Sequence, residues 1–197
     1  MQNPAAPATN AAWAELIQLV PIVTLALPFI VSGKVDLSRA GSGLVVGALL
    51  TLPVSALVLS KRAALNPILV GTGLWLWTGA LAFGVPIPPL REALVEAQGF
   101  GLFAFVALIG AVTLALSPQG FIGCRHPDAR FVRKASLGLF ALALVALGWS
   151  FLFRHDIRAG GGLPFIVLNV VRRAVILRAP PAERTEASAL RGGAPEL

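Results

Sequence analysis

The sequence predicts an all-α fold: a polytopic membrane protein with a bundle of five transmembrane helices and a C-terminal interfacial amphipathic helix. Of its 197 residues, 56% are hydrophobic and only 13% are charged, whereas soluble domains carry about 25% charged residues. Five apolar runs also have no ionisable residue in their interior. Each is close to the roughly 20 residues that a helix needs to cross the hydrocarbon core. The runs are 12–32, 43–60, 66–85, 99–117 and 136–153.

The first run is interpreted as a transmembrane helix rather than a cleaved signal peptide. The region before Trp13 lacks Lys and Arg, and the apolar run is longer than a typical signal core. Residues 1–11, rich in Ala, Pro and Asn, are predicted to be a flexible N-terminus. Cys124 is the sole cysteine of the sequence, which excludes an internal disulfide.

Small residues predict close helix packing within the bundle. Gly43 and Gly47 form a GxxxG spacing, which lets two helix backbones approach closely in lipid. The short connection 61–65 predicts an antiparallel hairpin between the second and third helices. The predicted helix-packing glycines are Gly43, Gly47, Gly71 and Gly79.

Two segments outside the five runs have helical patterns. Residues 89–98 are predicted to form a short interfacial helix or an extension of the fourth helix, with Glu92 and Glu96 on its polar face. Within the basic juxtamembrane segment 154–178, residues 163–178 are predicted to lie on the membrane surface, because two arginines near the middle make a poor span. Residues 179–197 are predicted to be a disordered tail.

The net charge of +7 indicates contact with phospholipid headgroups rather than nucleic acid, because the basic residues fall in loops and the tail. The predicted compartment is the bacterial inner membrane. The predicted headgroup contacts are Arg125, Arg130, Arg133, Lys134, Arg172 and Arg173.

The positive-inside rule gives a divided answer on orientation. The loops 61–65 and 119–135, on the side of the N-terminus, carry six basic residues, against three in the loops of the other side. Five more arginines between 154 and 178 change the count to six against eight. The loops alone favour a cytoplasmic N-terminus.

Few residues indicate bound cofactors. His126 and His155 bracket the fifth run, about 30 Å apart along a helix, so they cannot ligate one haem iron within this chain. Cys124, His126 and Asp128 alternate and are possible metal ligands, but a site needs three or four ligands in fixed geometry and the sequence has no second cluster, so no metal site is predicted. No cofactor is predicted. The candidate contacts for a partner subunit, a single pigment or a lipid are Trp75, Trp77, His126 and His155.

These patterns favour a non-catalytic accessory or scaffold subunit of a larger bacterial membrane complex, respiratory or photosynthetic assemblies being plausible hosts. Its expected partners are other membrane subunits and phospholipids. The first alternative is a small transporter or channel for a neutral or apolar solute, since Pro21, Pro28 and Pro53 could break helices near the midplane. A membrane enzyme comes third, because no catalytic motif is present.

Overall fold

The computed structural model describes residues 17–23, 37–60, 65–85, 87–124, 126–154 and 156–179. Of these residues 84% are helical and none is in a strand, which confirms the all-α prediction for the described part of the chain. The predictions for residues 1–11 and 180–197 lie outside it, as does most of the first predicted span, 12–32.

Between Leu37 and Leu177 the structure describes five α-helices in sequence. They are α1 (Leu37–Ser60), α2 (Pro67–Gly84), α3 (Pro88–Leu116), α4 (Ala129–Leu152) and α5 (Leu163–Leu177), with a π-helical segment (Ile157–Gly162) directly before α5.

Consecutive helices pack antiparallel. Gly41, near the start of α1, lies against Phe83 near the end of α2. The same reversal brings Gly71 of α2 against Val106 of α3, and Phe100 of α3 makes an edge contact with Phe151 of α4 at 5.6 Å between ring centroids. The bundle therefore has two ends. We call them the Asn66 end, where α1 and α3 finish and α2 and α4 begin, and the Pro88 end, where α2 and α4 finish and α3 begins.

The helix starts follow from capping residues. Asn66 precedes α2, and its side chain accepts a hydrogen bond from the Ile68 N–H, with Pro67 in the first turn. Asp128 accepts from the N–H groups of Arg130 and Phe131 at the start of α4. As a result α4 begins at Ala129 rather than at the predicted 136.

The segment 89–98 is an extension of the following helix, because α3 runs without interruption from Pro88 to Leu116. Of the two alternatives for this segment, the extension is the one observed. Its charged residues stand on the same helix axis as the apolar span that begins at Gly99.

Among the described residues, five helical stretches are long and apolar enough to cross a membrane: Gly41–Ser60, Pro67–Gly84, Gly99–Leu116, Ala129–Leu152 and Arg158–Leu177. The first four correspond to the predicted runs 43–60, 66–85, 99–117 and 136–153. The fifth contains the helix that the sequence predicts to lie on the membrane surface, whereas most of the first predicted span, 12–32, lies outside the described residues.

Helix α5 packs along the bundle. Leu168 is fully buried in a core that includes Phe103, Phe121 and Leu139, from α3, the α3–α4 loop and α4. At the Pro88 end, Gly160 of the π-helical segment lies against Gly99, where an added Cβ would come within 3.0 Å of the Gly160 backbone. A surface position for this segment stays a prediction, but its contacts extend from one end of the bundle to the other.

Candidate functional site

Arg172 of α5 is buried at the Asn66 end of the bundle. Its side chain is only 4% exposed, and its Nε donates a hydrogen bond of 2.8 Å to the carbonyl oxygen of Ile122. The neighbouring Arg173 is exposed. The sequence grouped both arginines as headgroup contacts, whereas the structure turns one into the protein and the other away from it.

The loop between α3 and α4 presents the carbonyl of Ile122. Gly120 and Gly123 flank this residue with φ values of 57° and 62°, a left-handed conformation that glycine adopts without strain. The Ile122 N–H donates to the hydroxyl oxygen of Ser136 at 3.2 Å, and Ser136 is fully buried in α4. The backbone of Ile122 is therefore bonded through its N–H to α4 and through its C=O to α5.

Asn66 makes a second set of buried bonds at the same end. It is 3% exposed. Its backbone N–H donates to Gln18 Oε1 at 2.9 Å, and its Nδ2 donates to Asn169 Oδ1 at 3.4 Å. Asn169 in turn donates to the carbonyl of Phe165 at 2.9 Å within α5. These bonds join the segment 17–23, the start of α2 and the middle of α5.

We refer to Gln18, Asn66, Ile122, Asn169 and Arg172 as the polar cluster. Ionisable residues at membrane depth are rare and indicate function by default, so a buried arginine in a candidate span is notable. The apolar runs of the sequence have no ionisable residue in their interior, and Arg172 falls outside them. Here the observed hydrogen bonds of the cluster go to groups of the same chain and link α2, α5 and the α3–α4 loop.

Sequence reasoning did not single out Asn66, Ile122 or Ser136. An Asn–Pro pair directly before an apolar run is a usable signal for a helix cap, and it was available for Asn66. The Ile122 carbonyl is a backbone group brought to α5 by folding, and no residue pattern predicts it.

The two tryptophans of α2 lie on different sides of that helix, and both are half-buried. Trp77 Nε1 donates to the Thr51 hydroxyl in α1 at 2.9 Å. Trp75 Nε1 points toward Gly101 of α3, where an added Cβ would lie 3.1 Å away. This Trp75 nitrogen is buried and has no hydrogen-bond acceptor among the described residues. Both indole nitrogens are thus directed into the bundle, and their contact with a partner or pigment stays a prediction.

The glycines predicted to pack helices differ in their surroundings. A Cβ on Gly71 would lie 2.7 Å from the Val106 Cα, so the backbones of α2 and α3 touch there. At Gly79 it would lie 2.9 Å from a methyl group of Leu44, and at Gly47 it would lie 3.0 Å from the Pro21 carbonyl oxygen. Gly43 is partly buried.

The segment around His126 forms a capped turn. The Asp128 N–H donates to His126 Nδ1 at 3.1 Å, and the imidazole lies 4.9 Å from the Phe131 ring. Cys124 is half-buried. Among the residues that the structure describes, no group of three His, Cys, Asp or Glu side chains is arranged to hold a metal ion. His155 and Arg125 lie outside the described residues.

Basic and aromatic side chains mark the two ends of α4. Arg130, Arg133 and Lys134 are exposed at the Asn66 end. At the Pro88 end, Trp149 stacks on Phe153 with 4.5 Å between centroids. Arg154 lies 5.4 Å above the Phe151 ring. From Lys134 to Leu152, the last residue of α4, the helix rises about 27 Å, close to the thickness of a hydrocarbon core.

Comparisons with protein-family models, with curated proteins and with solved structures give no match to this chain.

Proposed function

We propose that this protein is a non-catalytic accessory or scaffold subunit of a larger bacterial membrane complex. The observation that most supports this proposal is that buried polar groups of the protein hydrogen-bond its own helices and loops to one another. The observed bonds of Asn66, Asn169 and Arg172 connect parts of the chain to one another, and the Trp77–Thr51 bond does the same for α1 and α2. Such bonds stabilise a rigid bundle.

The outer faces of the helices are the surfaces available for partner subunits or lipid. Leu49 and Leu52 of α1, Val145 and Leu152 of α4, and Ile166 of α5 are each more than half exposed. In a bilayer these faces meet acyl chains or apolar helices equally well. A respiratory or photosynthetic assembly is a plausible host, and a single pigment or lipid could lie on the same faces.

Purification from native membranes in a mild detergent tests this proposal. We expect the protein to elute with other membrane subunits at a mass well above 20.5 kDa, and mass spectrometry then identifies the subunits. Elution as a stable monomer with transport activity of its own would contradict the proposal.

The packing of α5 also supports an orientation. If α5 crosses the membrane, Arg173 and Arg178 lie at the Asn66 end, together with the loops 61–65 and 119–135. Leaving out the buried Arg172, eight basic residues then flank the Asn66 end, against five at the Pro88 end. The positive-inside rule therefore favours a cytoplasmic Asn66 end in the inner membrane, and the earlier conflict between loops and tail disappears.

Cysteine accessibility tests this orientation. In a Cys124→Ser background, Ala179→Cys follows the end of α5 and Glu92→Cys lies at the Pro88 end. In intact cells an impermeant maleimide should label Glu92→Cys alone, and permeabilisation should expose both. Labelling of both in intact cells would place the end of α5 on the periplasmic side and favour the surface-lying prediction.

A cavity supports the second candidate function, a small transporter or channel for a neutral or apolar solute. It has a volume of about 320 Å³ and lies between the segment 17–23, α1 and α2, with Gln18, Thr51 and Ser55 as its polar lining. Gly73 also lines it. The test is solute flux into proteoliposomes that contain the wild type or Gly73→Leu, whose side chain fills the cavity. Flux through the wild type that this variant abolishes would favour the transporter, and absence of flux through the wild type would remove its support.

A membrane enzyme remains the third candidate. Its test is the replacement of His126 and Glu92 by alanine.

A further inference from the structure

A second and larger cavity lies at the Pro88 end of the bundle, between the end of α2 and the start of α3. Its volume is about 730 Å³. Charged side chains of both signs line it, namely Arg91, Glu92 and Glu96. The remaining wall is mostly apolar and includes Phe83 and Val95. The polar cluster, at the opposite end, contributes nothing to it.

The charged residues of this cavity stand at headgroup depth. The candidate span of α3 begins at Gly99. Along the helix axis, Glu96 and Arg91 lie about 4.5 and 12 Å before Gly99, at 1.5 Å per residue. The headgroup layer of a bilayer extends roughly 5–8 Å beyond each face of the hydrocarbon core. The Arg91 backbone lies beyond this layer, but its guanidinium reaches back to it, because it lies 5.1 Å from the ring of Phe83, one residue before the end of the α2 span at Gly84.

The charged groups form a complementary pair of subsites. The Arg91 guanidinium lies 5.1 Å from the centroid of the Phe83 ring, a cation–π contact that holds it against the wall. A guanidinium is a strong binder of phosphate oxygens. Glu92 and Glu96 are one helical turn apart, so their carboxylates are neighbours on one face and repel each other unless a cation lies between them.

We propose that this cavity binds the headgroup of a zwitterionic phospholipid. Its phosphate contacts Arg91, its ammonium group lies between Glu92 and Glu96, and its acyl chains follow the apolar side toward Val95. The site carries one positive and two negative charges, so an anionic headgroup is disfavoured. At the Asn66 end the exposed cations favour anionic headgroups instead; they are Arg130, Arg133 and Lys134.

This inference goes beyond the proposed function, since it requires no partner subunit. A monomeric transporter could have the same lipid site. The two proposals can therefore fail separately: co-purifying subunits test the first, and bound lipid tests the second.

The test is the lipid that remains bound to the full-length protein after purification in mild detergent. Phosphatidylethanolamine and phosphatidylglycerol are quantified by mass spectrometry for the wild type, for Arg91→Gln and for the double variant Glu92→Gln/Glu96→Gln. We expect phosphatidylethanolamine to fall roughly two- to fivefold for each charge lost, the range for exposed ion pairs. Phosphatidylglycerol should stay unchanged or rise in the double variant.

The matched control is Arg130→Gln/Arg133→Gln, which should lower phosphatidylglycerol and leave phosphatidylethanolamine unchanged. Val95→Trp narrows the cavity without changing charge and should also lower phosphatidylethanolamine. Size-exclusion profiles identify any variant that fails to fold, and bound lipid is then compared among the folded variants. Equal retention of phosphatidylethanolamine in all folded variants would overturn the proposal. Displacement of the lipid by millimolar free phosphoethanolamine would overturn the role of the acyl chains.

Discussion

Replacement of Arg172 by methionine tests the central contact of α5. Methionine keeps an unbranched chain in the core but cannot donate to the Ile122 carbonyl, which then stays buried without its 2.8 Å bond. A hydrogen bond from a charged donor to a buried acceptor contributes about 1.5–3 kcal/mol. We therefore expect Arg172→Met to lower the free energy of unfolding by at least that amount.

The assay is equilibrium unfolding in mixed micelles, with SDS added to a mild detergent and helicity followed by circular dichroism. The control is Arg173→Met, the exposed neighbour, which should change the free energy of unfolding by less than about 0.5 kcal/mol. If the two variants unfold within about 0.5 kcal/mol of each other, the reasoning is refuted, since the buried bond would then contribute nothing to α5 packing.

Three further predictions use the same unfolding assay. Asn66→Ala removes the cap of α2 and should lower stability by about 0.5–2 kcal/mol, whereas Asn66→Ser retains a capping oxygen and should recover most of it. Gly71→Ala places a Cβ 2.7 Å from the α3 backbone and should lower the free energy of unfolding by about 1–3 kcal/mol. Its control is Gly138→Ala, whose Cβ meets nothing within 4 Å and which should be neutral or stabilising. Gly160→Ala places a Cβ 2.5 Å from a carbonyl at the end of α4 and should destabilise, while Gly162→Ala meets nothing within 4 Å and should not. Equal effects within either glycine pair would contradict the close contacts.

Hydrophobicity was sufficient to predict α1 to α4, because each has a run of apolar residues near the length of a span. It did not predict how α5 packs. Hydropathy assigns each arginine the cost of a charge exposed to lipid, so two adjacent arginines argue against a transmembrane span. It assigns this cost equally to Arg172 and Arg173. Folding separates them, since one meets the Ile122 carbonyl and the other stays exposed.

The boundaries of α4 show a similar limit. The sequence placed its start at 136 because the charged residues before it resemble a loop. Asp128 caps a helix that begins at Ala129, seven residues earlier, and the first turns of this helix project Arg130, Arg133 and Lys134 outward. A charged turn can belong to a helix when its cap is local and its side chains reach headgroups.

The polar cluster has a consequence for how the chain is made. Helix α5 is translated after the other helices, and if it crosses the membrane, Arg172 adds to its insertion free energy at the translocon, by up to roughly 2.5–3.5 kcal/mol for an arginine at the centre of a span. The group that accepts from Arg172 belongs to the α3–α4 loop, and the group that accepts from Asn66 Nδ2 belongs to α5 itself. Both bonds therefore form only once α5 has been translated and lies against α2 and the α3–α4 loop, so the place of α5 depends on elements made before it.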